Sequence, residues 1–427
     1  MNITGIIAEY NPFHNGHAHQ LTRARTETDA DYIIIVMSGN FVQRGAPALL
    51  DKYTRTKMAL LEGADLVIEL PALWSSASAE YFAGAGVSLL NRLGCVDTLC
   101  YGCETPPGQT ASQNVYEKLL WFFENETPQY KKQLSDALTS GASYAQARQN
   151  ALLSMLPDCD QAIAMEILKN PNNILALEYQ KALAKISSPI RVHPVLRQGE
   201  GYHSSHLSGS FASASAIRRF LASRPAAKNG FSWQQAPLKH AMPASALRLL
   251  LEYERSYPLL YENDCSHMLH YCLLSHAADG FAGYADCTPD LSNRILKHLG
   301  GYTGFSGFCT LLKSKNLAYT RVSRMLTHIL LDIRQSDYAY WRSHSYMPYA
   351  KVLGFRKDAR SLLTHLKKQT SVPLLTRAAD ARNILTAPDD KAFFQKQVFA
   401  DAVYEAMALE KSGRNITQRH RQQIVIV

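Results

Sequence analysis

The sequence predicts an α/β fold: a doubly wound parallel sheet over residues 1–225, followed by a mainly α-helical part over 226–427. Three observations carry this expectation. Apolar runs at 3–8, 31–38, 65–70 and 96–101 alternate with stretches of helical period, the order that gives parallel strands joined by crossover helices. The second run, Tyr32-Ile33-Ile34-Ile35-Val36-Met37, is apolar without alternation, as in a parallel strand covered on both faces. Beyond residue 237 the apolar spacing turns helical almost throughout.

The elements follow in order. Residues 3–8 form the first strand and 18–28 a helix. Between them lies Tyr10-Asn11-Pro12-Phe13-His14-Asn15-Gly16-His17, a tight turn closing on His-x-Gly-His. After the strand at 31–38 comes a polar, Gly-bounded loop, 39–47, and then a helix over 52–63. Pro71 stops the strand at 65–70. The helix at 78–93 carries the small residues Ala79, Ala83, Gly84 and Gly86 for close packing. A fourth strand, 96–101, ends at Gly102. Helices run to about 156, and Asn172 or Asn173 caps another. A fifth strand covers 190–197 and a Gly- and Ser-rich loop 199–209. Ser213 or Ser215 caps the next helix. Pro, Lys, Asn and Gly at 223–237 mark a linker. Helices are expected at 247–255, 269–276, 291–299, 305–312, 319–333 and 359–369. The basic tail, 411–421, is expected to be mobile.

A strand, a tight turn and a helix start are where a doubly wound sheet holds a nucleotide phosphate. His14 and His17, three apart, face that spot and donate to phosphate oxygens, which lowers the barrier to a step that loads charge onto phosphate. They are the candidate catalytic residues. Gly16 between them has no Cβ to block a ribose or base. Ser213, Ser215 and Arg218, at a second helix start, suit a triphosphate tail, because arginine offers a planar fork to phosphate oxygens. Gly39, Asn40, Gln43 and Arg44 in the loop after the second strand read as a substrate loop. Lys52 and Arg55, on the next helix, read as facing an RNA backbone or, more simply, water. In the helical part, Lys313, Lys315, Arg321 and Arg324 lie in a basic stretch with Tyr319 interleaved, which suits a nucleic-acid backbone. Lys351, Arg356, Lys357 and Arg360 form a second basic cluster.

Composition sets bounds. A net charge of +9 and a pI near 9.0 permit a polyanionic partner without proving one. No apolar run reaches the ~18–20 residues of a membrane span, and the amino terminus lacks a basic region and cleavage site, so a cytoplasmic protein with no membrane partner is expected. Cys100-Tyr101-Gly102-Cys103 is the one C-x-x-C among eight cysteines. Without a second pair or matching histidines it does not make a zinc site, so reduced, partly buried thiols are expected and no metal ligands are assigned.

With these residues in hand, the chain resembles the bacterial tRNA(Met) cytidine acetate ligases, in the nucleotidyltransferase-like, Rossmann-type superfamily marked by His-x-Gly-His. The matching segments are 5–17, 37–47, 63–71, 101–104, 171–179 and 211–218, with further likeness at 319–331 and 349–355. The resemblance implies activation of acetate by ATP, giving acetyl-adenylate and pyrophosphate. Acetyl transfer to the exocyclic N4 amine of the wobble cytidine of elongator tRNA(Met) then gives N4-acetylcytidine. Carried over by position, the ATP site is Ile7, Ala8, Glu9, Tyr10, Asn11, Pro12, Phe13, His14, Asn15, Gly16, His17, Gln20, Gly102, Asn172 or Asn173, and Arg197. Mg²⁺ is expected to travel with the triphosphate and need few protein ligands. The anticodon region of the tRNA would be held by its phosphates on the basic helices. Two other readings of the same motif are an adenylyltransferase acting on a small phosphorylated metabolite and a non-catalytic, ATP-liganded RNA-binding protein. The oligomeric state is left open.

Overall fold

The computed structural model describes residues 1–106, 110–142, 144–198, 211–224, 236–414 and 422–427. The polar loop at 199–209, most of the linker at 223–237 and most of the basic tail lie outside the described residues. The front of that tail is ordered: Lys411 closes the long helix Pro388–Ser412, and its Nζ donates to Asp264 Oδ2 at 2.8 Å.

The strands are β1 (Ile3–Ala8), β2 (Tyr32–Ser38), β3 (Phe41–Val42), β4 (Ala46–Pro47), β5 (Leu66–Leu70), β6 (Thr98–Cys103), β7 (Arg191–Leu196), β8 (Ala350–Phe355), β9 (Leu374–Leu375) and β10 (Val425–Ile426). The main sheet runs β10-β8-β5-β2-β1-β6-β7, with β9 beside β8; β3 and β4 form a separate hairpin. The run from β5 to β7 is parallel, as expected for fully apolar strands. The sheet is nevertheless mixed, because β8 pairs antiparallel with β5.

One face of the sheet is covered by helices Ala79–Arg92 and Pro171–Lys185. The small residues there are needed: a Cβ on Gly86 would sit 2.7 Å from Ile7 Cδ1, and one on Gly5 2.8 Å from Leu90. The other face is covered by helices Asn15–Glu27, Lys52–Leu61, Ala214–Ala222 and Ala244–Ser256.

The second half of the chain is mainly helical, but it is not a separate layer. Strand β8 is buried along its whole length, and helix Pro388–Ser412 packs just past β5, where Ala72 N donates to Gln397 Oε1 at 2.7 Å. Lys52 and Arg55 do not face water; both are fully buried. Lys52 Nζ lies 2.5 Å from Glu69 Oε1 and 2.5 Å from Asp401 Oδ2. Lys351 does not belong to a surface cluster; its Nζ is 3.1 Å from Glu69 Oε2. Asn40, read from sequence as substrate-facing, is buried and donates from Nδ2 to Asp401 Oδ1 at 2.9 Å. Gln397 Nε2 donates to both carboxylates at 3.0 Å. The cluster holds two ammoniums and two carboxylates, so its formal charges balance.

Arg55 spends its guanidinium on backbone. Its Nη1 donates to Glu9 O at 2.7 Å and Ser38 O at 2.9 Å, Nη2 to Gly39 O, and Nε to Leu50 O at 3.0 Å. It thereby ties together the carboxyl ends of β1 and β2, where the loops of the crevice begin.

Candidate active site

Strand β1 pairs with β2 from Ile3 to Ala8 but with β6 only at Thr4 and Gly5. Beyond Gly5 the two strands part. The strand order reverses there, so a crevice opens at the topological switch point, beyond the carboxyl ends. A cavity of about 230 Å³ lies in it, lined by the turn after β1 (His14, Gly16, His17, Gln20), the end of β6 (Gly102, Glu104), the end of β7 (Arg197) and the start of the next helix (Phe211, Ser213).

His14 is the N-cap of helix Asn15–Glu27. Its Nδ1 accepts from Gly16 N at 3.0 Å, and His17 Nδ1 accepts from His14 N at 3.3 Å. These bonds satisfy two of the orphan donors of a helix start. They also fix the tautomer: an Nδ1 that accepts carries no proton, so each neutral ring bears its proton on Nε2. The rings stack at 3.7 Å between centroids. Burial, then the Arg197 and Arg218 guanidiniums, push His14 down to about 3. Burial, His14 and Arg197 likewise hold His17 well below the ordinary imidazole value. The pair is therefore two neutral N–H donors at physiological pH.

Gly16 does more than leave room for a ligand. A Cβ there would lie 2.9 Å from His14 Cε1 and 3.1 Å from its Nδ1. The glycine lets the imidazole fold back as a cap. Tyr10 is held at φ +49, a conformation costly for a bulky residue. Its ring packs edge-on, at 4.8 Å, against both Phe13 and His17.

Cationic groups surround the turn. Arg218 Nη1 donates to Asn11 O at 2.5 Å and Nη2 to Ser215 Oγ at 3.1 Å. Burial and the neighbouring Arg44 guanidinium lower Arg218 to about 10, as expected where cations are crowded for an anion. Arg197 crosses Gly102, whose Cβ would meet Arg197 Cγ at 3.3 Å, and lies 3.7 Å from Glu104. Ser213 caps its helix by accepting from Ala216 N at 3.1 Å. Both serines thus support the backbone and the arginine at this end. Of the two asparagines, Asn173 is buried and its Oδ1 accepts from Glu104 N at 2.9 Å and Thr105 N at 3.1 Å; Asn172 donates to the Glu104 carboxylate. Asn173 shapes the loop after β6.

In the loop after β2, Gln43 N donates to Glu9 Oε1 at 2.7 Å, which ties the loop to the segment following β1, and Arg44 lies near enough to Arg218 to lower it, while Gly39 and Asn40 belong to the buried charge cluster. The loop's tip leans on helix Tyr319–Leu330: Ser323 Oγ and Thr327 Oγ1 both donate to Gly45 O, at 2.7 and 2.8 Å. Gly45 has φ +70, and a Cβ there would sit 2.4 Å from Arg324 N. Gly45→Ala is therefore expected to cost about 2–4 kcal/mol, from left-handed strain plus overpacking. Urea unfolding checks this; an unchanged midpoint would show that the tip does not rest on the helix.

The basic residues of the helical half are not equivalent. Lys313 and Lys315 are exposed, and Arg321 is half-buried. Arg324 is 18% exposed, with Nε 3.6 Å from Asp286 Oδ2. Arg356 stands apart from them all. Because β8 runs antiparallel, its end lies at the amino end of β5, opposite the crevice, where Arg356 pairs with Asp65 at 3.8 Å and with Asp358.

Several lining residues lie outside the His-x-Gly-His motif itself. His19 and Phe211 meet edge to face at 5.7 Å, and His19 Nε2 is buried without a partner. His19 stands two residues past the motif, so its position was the available signal. Glu104 lies in the segment 101–104 that carries the family resemblance and follows the fourth strand, and it lines the cavity. Cys100 and Cys103 are free thiols buried in β6, where burial pushes both up to about 12. Among the described residues no group of three His, Cys, Asp or Glu is placed to hold a metal, and no helix is long and apolar enough to cross a membrane.

Comparison with known proteins gives the family. A family model described as HIGH Nucleotidyl Transferase matches residues 1–420. A tRNA(Met) cytidine acetate ligase of Clostridium kluyveri is 39% identical over 381 residues, 88% of this chain and 90% of its own. That of Clostridium novyi is 37% identical over 383 residues, 90% of this chain and 92% of its own. Among solved structures, Thermotoga maritima TmcAL bound with alpha-thio ATP superposes with a TM-score of 0.86 at 26% identity, covering 100% of this chain and 99% of that one.

Proposed function

The chain belongs to the HIGH nucleotidyl transferases and, among them, to the tRNA(Met) cytidine acetate ligase family, and from that premise we propose how its residues share the work. The protein is an ATP-dependent ligase that joins acetate to tRNA(Met). The observation that carries the detailed reading is the tautomer-locked imidazole pair at the switch-point crevice.

ATP lies with its triphosphate against the helix start at Asn15 and its adenosine toward Gly102 and Arg197. A carboxylate oxygen of acetate attacks the α-phosphorus. The bond from that phosphorus to the bridging oxygen breaks, and its electron pair leaves with pyrophosphate. Little protein nucleophile is needed, since positioning and charge neutralisation do the work. His14 and His17 donate from Nε2 to the phosphate oxygens that gain charge. Arg218 holds the turn through Asn11 O, and Arg197 and Arg44 add positive field. The remaining residues of the turn, Ile7 to Gln20, with Asn172 or Asn173, shape the nucleotide site.

In the second step the N4 amine of the wobble cytidine attacks the acetyl carbonyl. AMP leaves with the electrons of the acyl–oxygen bond, and the nitrogen gives up a proton. The base is splayed from its stack to reach the crevice, beside Gln43 and Arg44. Glu104, the carboxylate just past β6 in the cavity lining, is engaged by Arg197 and Asn172. Mg²⁺ accompanying the triphosphate would need few protein ligands and would neutralise phosphate charge beside His14, His17, Arg197 and Arg218. The nucleotide site and the reacting base fall within residues 1–225 and the contacts to the tRNA backbone within 226–427. This division is one of roles, since the sheet itself crosses the boundary.

Incubation with ATP, acetate and unmodified tRNA(Met), followed by digestion to nucleosides, is expected to yield N4-acetylcytidine. Pyrophosphate release that depends on a phosphate ester in place of acetate would favour the adenylyltransferase reading and sink this one.

A further inference from the structure

We propose that the shallow groove between helix Pro289–His298 and the segment 313–317 seats the sugar–phosphate backbone of the RNA substrate, an inference that rests on the tRNA reading above. The groove measures about 420 Å³ and is bordered by Arg294, Lys297 and His298 on the helix and by Ser314, Asn316 and Leu317 opposite. Lys313 and Lys315 stand exposed on the same segment. Asp290 is the one carboxylate on its border. The surplus of positive charge is local and one-sided, the footprint of a polyanion site.

The groove is built rather than merely basic. Ser314 N donates to Leu317 O at 3.3 Å, and Leu317 N returns to Ser314 O at 3.1 Å. This two-residue turn fixes Lys315 at its tip, with Leu317 buried beneath it. Arg294 is fastened to the turn, because its Nη2 donates to Lys313 O at 3.2 Å, a neutral carbonyl. Its Nε is buried and has no partner. A guanidinium positioned by a carbonyl keeps its full charge for an incoming phosphate, unlike Arg324 with Asp286 or Arg356 with Asp358.

The location fits the same substrate. Segment 313–317 leads directly into helix Tyr319–Leu330, against which the hairpin tip at Gly45 rests. At 1.5 Å per helical residue plus a short extended lead, the groove lies roughly 15–20 Å from that tip. A stem gripped there leaves its loop within reach of the crevice. Phosphate contacts fix register and carry no base information, so the groove orients the RNA while the crevice selects the base.

The test uses Lys297→Ala and Lys315→Ala, both exposed, together with Arg294→Gln. Affinity for a tRNA(Met) transcript is measured against salt, beside acetate-dependent pyrophosphate production without RNA. Each substitution is expected to weaken RNA binding about tenfold and to lower the slope of log affinity against log salt by about 1. Pyrophosphate production stays at the wild-type level. If the triple variant binds tRNA with unchanged affinity and slope while wild type acetylates it, the groove is refuted and the enzyme reading stands. If wild type binds no tRNA, both fall.

Discussion

His14→Asn and His17→Asn each lower acetate-dependent acetyl-adenylate formation by about 10²–10³-fold, the usual loss for one oriented donor to a transition-state oxyanion. Both rings line the cavity, and their Nδ1 atoms are committed to backbone N–H groups. Only the Nε2 protons are left for the ligand. Asparagine at position 14 is itself a good N-cap, so the helix start survives while the donor is shortened and misplaced. The double variant falls little further than either single one, because the stacked pair acts as a unit. The pH profile separates a neutral donor from a charged one. With His14 held down at about 3 and His17 also lowered, the rate contribution of the pair is flat from pH 8 to pH 6. A rate that climbs as pH falls through the ordinary imidazole range would show that an imidazolium is the working form, and would overturn the tautomer argument.

That prediction was within reach of the amino-acid sequence because its elements are local. An apolar run, a turn and a helix cap are adjacent in the chain, so β1, the His-x-Gly-His turn and helix Asn15–Glu27 could be placed from residues 3–27 alone. What Gly16 does was not readable, since its neighbour in space is the ring two residues back, folded over it. The larger misreadings share one physical cause. Lys52, Asn40 and Lys351 look like surface residues because their partners are far away in sequence: Asp401 lies 349 positions from Lys52 and 361 from Asn40. A strand containing a lysine also fails the apolar-run test, which hid β8. Once β8 is known to enter the sheet antiparallel, Arg356 moves to the amino end of β5, opposite the crevice. A phosphate contact from it would then need RNA wrapped around the molecule.

Lys52→Met is expected to cost about 3–5 kcal/mol, the penalty for stranding a buried charge. The balance of the cluster explains why. Lys52 and Lys351 offset Glu69 and Asp401 in a space where all four side chains are at most 6% exposed. Burial alone would depress the lysine ammonium, yet Asp401 and Glu69 beside it raise Lys52 above its ordinary value. Removing it leaves one negative charge too many, 2.5 Å of lost contact on each carboxylate, and a methyl group in its place. The companion Lys52→Met/Asp401→Asn removes one charge of each sign. It should recover a large part of the loss even though it carries more substitutions, since replacing a whole buried pair is far cheaper than breaking one. Urea unfolding of wild type, single and double variants measures both terms. The consequence reaches the crevice, because Asn40, the Asp401 partner, accepts from Lys52 N and stands at the root of the hairpin that carries Gln43 and Arg44. A single variant losing less than about 1 kcal/mol, or a double variant less stable than the single, would mean that the cluster is hydrated and the hairpin does not depend on it.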